Sequence, residues 1–199
     1  MGPYGHVAEV LGRLAVQLSE GQLSSVTIRY QGEIAEYDTA IIKASALIGV
    51  LGPATAQRVN LVNASLVASQ RGLSVVEEKR IDGEEHYGNL VTVELRTSLG
   101  TTIVSGTVVR GGDHIVQVGE YWIDIVSVPG YLLFTQHQDN PGLIGAVGTI
   151  TGHHGINISF MEVGRLAAGG RAMMVLGLDD PVPDEVLNEL RAIPSISKV

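Results

Sequence analysis

The run from Gly130 to Ile158, GYLLFTQHQDNPGLIGAVGTITGHHGINI, constrains this chain more than any other stretch of it. Tyr131 to Gln136 is short, apolar and β-prone, and predicts a strand. His137-Gln138-Asp139-Asn140-Pro141-Gly142 follows as a tight polar turn. Pro141 has its φ preset and needs no backbone donor, so it suits the first turn of a helix. Asp139 or Asn140 stands where a helix cap belongs. Leu143, Val147 and Ile150 continue at helical spacing. Gly155 predicts a left-handed stop, and Ile156-Asn157-Ile158 opens a new strand.

A helix N-terminus offers N–H groups without helical partners and partial positive charge, so a small carboxylate can dock there. Asp139 beside it suits an ammonium group, and His137 and Asn157 add polar contacts from the flanking strand ends. Donors for a carboxylate, an anion for an amine and a polar group for a side chain make up what a zwitterionic amino acid needs. The plainer role for Asp139 is to cap its own helix. Gly142, Gly145 and Gly148 form a stripe along that helix. It either packs closely on a sheet or borders a pocket or a second subunit.

The remainder of this half completes a pattern. A helix over residues 140–154 leads to strands at 157–165 and 171–178, joined by Leu166-Ala167-Ala168-Gly169-Gly170 as a β-hairpin. Asp180-Pro181-Val182-Pro183 opens a second helix that turns Val186, Leu187 and Leu190 inward. Ile196 to Val199 is the last strand. The order βαββαβ predicts a ferredoxin-like domain with two helices on one face of four strands.

The first half has different periods. Val7, Val10, Leu11, Leu14 and Leu18 give an amphipathic helix from His6 to Leu18, whose packing partner is expected elsewhere. Met1-Gly2-Pro3 resembles a start placed ahead of a mid-protein sequence. Ser24 to Gln31 alternates as a strand. Asp38 and Thr39 cap a helix over 40–50, a further helix is expected over 55–70, and a strand over 73–80. After a charged loop at 81–88, alternating segments at 89–97, 101–110, 114–118 and 122–126 predict an antiparallel meander. Fold class is therefore α+β in two domains: a leading helix at 1–22, an antiparallel-sheet domain at 23–127, and the βαββαβ domain at 128–199. Ser127-Val128-Pro129-Gly130 is the linker.

Composition excludes several functions. With Lys+Arg 13 against Asp+Glu 21, net charge −8 and no basic run, a nucleic-acid partner is not expected. No apolar run can span a bilayer and no signal peptide opens the chain, so the expected setting is cytoplasmic, not membrane. Cysteine is absent, which removes disulfides and thiolate metal sites. His153-His154 is no metal pair, because adjacent helical residues diverge by about 100°. Favourable placement near a helix C-terminus explains it. No serine or histidine constellation points to a hydrolase. Lys79, Arg80, Arg110 and His114 are candidates for an anion site in the first domain, or simply solvated loop charges. Asn60 and Asn63 are expected to bond local backbone groups between helix and sheet.

The motif H-x-D-x-P-G-L followed by G-I-N-I resembles the ACT domain, a regulatory βαββαβ module of amino-acid metabolism. It is most similar to the ACT domain that ends D-3-phosphoglycerate dehydrogenases. The Val59-Asn60-Leu61-Val62-Asn63-Ala64 run resembles that family's intervening, or allosteric substrate-binding, domain. The resemblance implies the C-terminal regulatory portion of a type I enzyme, with the catalytic and NAD-binding parts, and NAD itself, belonging to the parent enzyme and no cofactor in this chain. It implies L-serine, or a similar amino acid, as a feedback effector. The binding set would be His137, Asp139, Asn140, Pro141, Gly142, Leu143, Asn157 and Ile158, with self-association through the ACT domains. Many members have Arg where this chain has Asn140. A related small subunit of iron–sulfur L-serine dehydratases, and a ligand-free ACT assembly module, are the alternatives.

Overall fold

A computed structural model describes residues 2–55, 57–82, 86–126 and 130–199. The expected linker thus lies outside the described residues at 127–129, as does part of the charged loop after residue 82. Two compact units form: among the described residues one holds 2–119 and 124–126, the other 120–123 and 130–199, so the strand Tyr121–Val126 is divided between them. The domain order α+β then ferredoxin-like is as the sequence predicts.

In the first unit the helices are α1 (Gly2–Leu18), α2 (Ala40–Leu51) and α3 (Ala64–Gln70). The strands are β1 (Leu23–Gly32), β2 (Ser74–Arg80), β3 (Asn89–Thr97), β4 (Gly100–Val109), β5 (Gly112–Val118) and β6 (Tyr121–Val126). They make one sheet in the order β2-β1-β3-β4-β5-β6. The β1–β3–β4–β5 pairs are antiparallel, as alternation and short turns require, but β1 and β2 run parallel. The two helices between β1 and β2 supply the long crossover that a parallel pair needs. Period-two patterning sets the core: Val26 faces Leu95, Ile28 faces Val93 and Tyr30 faces Val91 across β1–β3, and all six are buried.

The stripe of α1 does not leave this unit for its partner. Val7, Ala8, Leu11, Leu14 and Ala15 are buried, with α1 packed on α2 and on β3 and β4. Glycines allow the helices to approach. A Cβ added at Gly12 would strike the Ala46 carbonyl, and one at Gly49 the Glu9 carbonyl. Polar groups join the remaining elements. Glu77 of β2 accepts bonds from Tyr30 (3.0 Å) and Thr39 (3.3 Å) and takes Lys43 Nζ at 2.7 Å. Burial and the Glu77 charge push ionisation of the Tyr30 hydroxyl far up, so it stays a donor.

The helix expected over 55–70 is a correction: only Ala64–Gln70 is α-helical. The side chains of Asn60 and Asn63 compete with the helical ladder. Asn60 Oδ1 accepts from the N–H groups of Val62 (2.9 Å) and Asn63 (3.1 Å), and Asn63 Oδ1 accepts from Asn60 N–H at 2.8 Å. The pair does bond local backbone groups, but within the turn at 58–63 rather than between helix and sheet.

The second unit contains β7 (Tyr131–Gln138), α4 (Leu143–His153), β8 (Ile158–Arg165), β9 (Arg171–Leu178), α5 (Asp184–Arg191) and β10 (Ile196–Lys198). The sheet order β10-β7-β9-β8 is the split βαβ arrangement, with β8 at one edge. Leu143 and Val147 of α4, and Val186 and Leu190 of α5, join Leu133, Met174, Leu176 and Ile196 in one core. Two helices therefore cover one sheet face.

Candidate functional site

The polar corner ahead of α4 is built by a turn. Asn140-Pro141-Gly142-Leu143 closes with Leu143 N–H donating to the Asn140 carbonyl at 3.4 Å. Gly142 has φ 88° and ψ −14°. This is the left-handed third position of a type II turn, which follows Pro and favours Gly. Because Gly142 is not helical, α4 starts at Leu143 rather than at residue 140, and no side chain among the described residues caps it. The capping role for Asp139 or Asn140 is corrected accordingly. Gly155 does adopt the left-handed stop, at φ 70°.

The Asp139 carboxylate points across the corner. Its Oδ2 accepts from Gly169 N–H and from Arg165 Nη1, both at 3.2 Å. The Gly169 amide and then the Arg165 guanidinium hold its pKa below the usual carboxylate value. The backbone of Asp139 donates to the Gly170 carbonyl at 2.8 Å, and Gln138 Nε2 bonds the Gly169 carbonyl. The loop between β8 and β9 is thereby tied to the end of β7.

His137 is buried on the inner face of β7 beside Thr135, whose hydroxyl lies 3.4 Å from Nδ1. Burial lowers its pKa, opposed by a bond to the Thr135 backbone and by the Asp139 charge, so the ring favours its neutral form. Around these groups is a cavity of about 470 Å³. It gathers His137, Asp139, Asn140, Pro141, Gly142 and Leu143, six of the eight expected effector residues, and adds Ile144, Val163, Arg165 and Gly169.

Asn157 and Ile158 do not line it. They follow α4, whose eleven residues extend roughly 16 Å away from the corner. Asn157 Nδ2 instead donates to Asp179 Oδ2 at 2.7 Å. Arg165 was signalled only by topology. The sheet register places His137, Ala172 and Arg165 in one row across β7, β9 and β8, so all three share a face.

The four candidate cations of the first unit are not gathered. Lys79 and Arg80 lie on edge strand β2, while Arg110 and His114 lie at the β4–β5 turn and on β5, roughly 19 Å away at the usual strand spacing. Lys79 Nζ donates to the Tyr37 carbonyl at 2.8 Å, and His114 Nδ1 is 2.6 Å from Asp124 Oδ1. A separate groove of about 400 Å³ is lined by Lys43, Ser65, Ser69, Ser74 and Glu77, none of them in the expected set. Among the described residues no cluster of three metal-ligating side chains occurs, and no helix is long and apolar enough to cross a membrane.

Comparison with known proteins adds the decisive observation. The family described as the D-3-phosphoglycerate dehydrogenase intervening domain matches residues 1–119, and the ACT domain family matches residues 131–195. The chain belongs to the D-3-phosphoglycerate dehydrogenase intervening-domain family. An ACT domain follows it. D-3-phosphoglycerate dehydrogenases of Methanocaldococcus jannaschii and Bacillus subtilis are 36% and 37% identical to it, each over 99% of this chain and 37% of their own length. The Synechocystis enzyme is 37% identical over 98% of this chain and 35% of its own. The chain thus spans about 37% of the length of the first of these relatives, and what it matches are the intervening and ACT parts.

Proposed function

We propose that this chain is the regulatory portion of a cytoplasmic, NAD-dependent D-3-phosphoglycerate dehydrogenase, which binds L-serine at its ACT corner for feedback inhibition and self-associates there. The carrying observation is the cavity that brings the uncapped start of α4, the Asp139 carboxylate and the His137 ring together. Amide groups near Gly142 and the neutral His137 ring serve the carboxylate, and Asp139 takes the amine.

Asn157 enters through a second copy. Among the described residues β8 pairs in its sheet with β9 alone, and such an edge favours pairing with a symmetric partner. In an antiparallel pairing about a two-fold axis, the start of one β8 meets the end of the other. The partner subunit's Asn157 then lies near Arg165 and the corner. A ligand touching both copies favours one arrangement over another, and a coupling of about 1–3 kcal/mol suffices for feedback.

One observation favours the ligand-free assembly module: Asp139 already has Arg165 and the Gly169 amide as partners. Calorimetry separates the two readings. L-Serine is expected to give saturable heat and a raised melting temperature, and Asp139→Ala to abolish both while leaving the circular-dichroism spectrum unchanged. Absence of heat and of a thermal shift at millimolar serine overturns the feedback reading.

A further inference from the structure

The pairing of Asp139 with Arg165 points to a recognition device that the corner's family resemblance does not supply. Arg165 ends edge strand β8, and its side chain is 55% exposed. It shares one carboxylate oxygen of Asp139 with the Gly169 amide, at the rim of a cavity about 470 Å³ in volume. His137 favours its neutral form, so the charged groups of the corner are the Asp139 carboxylate and the half-exposed Arg165 guanidinium. That balance suits a ligand with both charges on adjacent groups. A zwitterion entering between the two replaces one ion pair with two, its ammonium on Asp139 and its carboxylate on the guanidinium. An amine without a carboxylate, or an acid without an amine, strands one member of the pair.

We infer that Arg165 joins the Gly142 amides and His137 in recognising the carboxylate at the effector site: it rests on Asp139 when the corner is empty and turns to the α-carboxylate of a bound amino acid. This rests on the amino-acid-binding reading above. The planar guanidinium suits the role, because it forms paired, charge-assisted bonds with a carboxylate. Arg165 therefore sets specificity for a free α-amino acid over an amide or a peptide-linked residue. It also supplies from the hairpin a cation that the turn itself, with Asn140, lacks.

The test is calorimetry on the full chain with L-serine and L-serinamide, the amide being titrated by displacement of serine. For Arg165→Gln, serine affinity is expected to fall about tenfold or more, the scale of one lost charge-assisted contact, with no loss for serinamide. Arg165→Lys, which keeps the charge and loses the fork, should fall between. It serves as the second variant if Arg165→Gln melts early. Unchanged or tighter serine binding by these variants overturns the inference alone, as does an equal loss for serine and serinamide. No serine binding by the unaltered chain overturns the amino-acid reading itself, and this inference with it.

Discussion

His137 is a titratable group held in its neutral form by burial, and that has a cost in acid. Its folded pKa lies below the ordinary 6.5. As pH falls through 6.5 the unfolded chain takes up the proton first, so stability is lost from there down to the folded value and then levels. Urea denaturation of the ACT unit is expected to show this decline, and His137→Gln to flatten it. An unchanged slope in the variant sinks the assignment. Asp139 acts at lower pH with the same sign. Its folded pKa is depressed, so its bonds to Gly169 and Arg165 contribute fully above the ordinary 3.8 and are lost as pH drops through the folded value. Much of this corner was legible in residues 137–143, because a polar turn between a strand and a helix is specified locally. Arg165 and Gly169 were not, since they reach the corner through sheet register and a hairpin loop, which join residues about thirty positions apart. Asn157 adjoins the corner's helix in sequence but stands at its far end in space, so within one copy it does not line the cavity.

Among the elements, α1 and α2 approach most closely at glycines. A Cβ at Gly49 would press on the Glu9 carbonyl and come within 2.8 Å of the Arg13 amide. Both are backbone atoms that move only with the helix. Gly49→Ala is therefore expected to destabilise the first unit by about 1–3 kcal/mol despite the better helix propensity of Ala. Chemical denaturation measures this, and a neutral or stabilising result means that the helices can separate without loss. The amphipathic pattern foretold α1 but not its mate, because periodicity identifies the apolar face and leaves open what covers it. The misjudged start of α4 and the overlong helix before residue 64 share another cause. In both, turn chemistry beat helical spacing: a left-handed Gly142 after proline in one case, and asparagine side chains bonding backbone amides in the other. Strands and hairpins were better foretold, since alternation and glycine punctuation act at short range.

For the molecule as a whole, the outward side of α4 is an exposed surface whose use can be tested. Close packing of its glycine stripe on the sheet is not what the fold contains. A Cβ added at Gly145, Gly148 or Gly152 meets no described atom within 4 Å, and Ile144 beside them is 52% exposed. A solitary helix gains nothing from glycine there, because each interior Gly forfeits roughly 0.5–1 kcal/mol relative to Ala. The second option, a border with another subunit, gives the stripe a purpose, since bare backbone permits the approach of a facing helix. The two accounts predict opposite balances between folding and association. Gly145→Ala with Gly148→Ala is expected to raise the intrinsic stability of the ACT unit by up to about 1 kcal/mol per site, measured at concentrations where the chain is monomeric. In sedimentation equilibrium the same double variant should self-associate more weakly, as the added methyl groups hold the partner helix away. Serine affinity should fall in parallel if the site is completed across that contact. Association that is unchanged while stability rises leaves the stripe a solvated face, and removes the helix from the assembly interface.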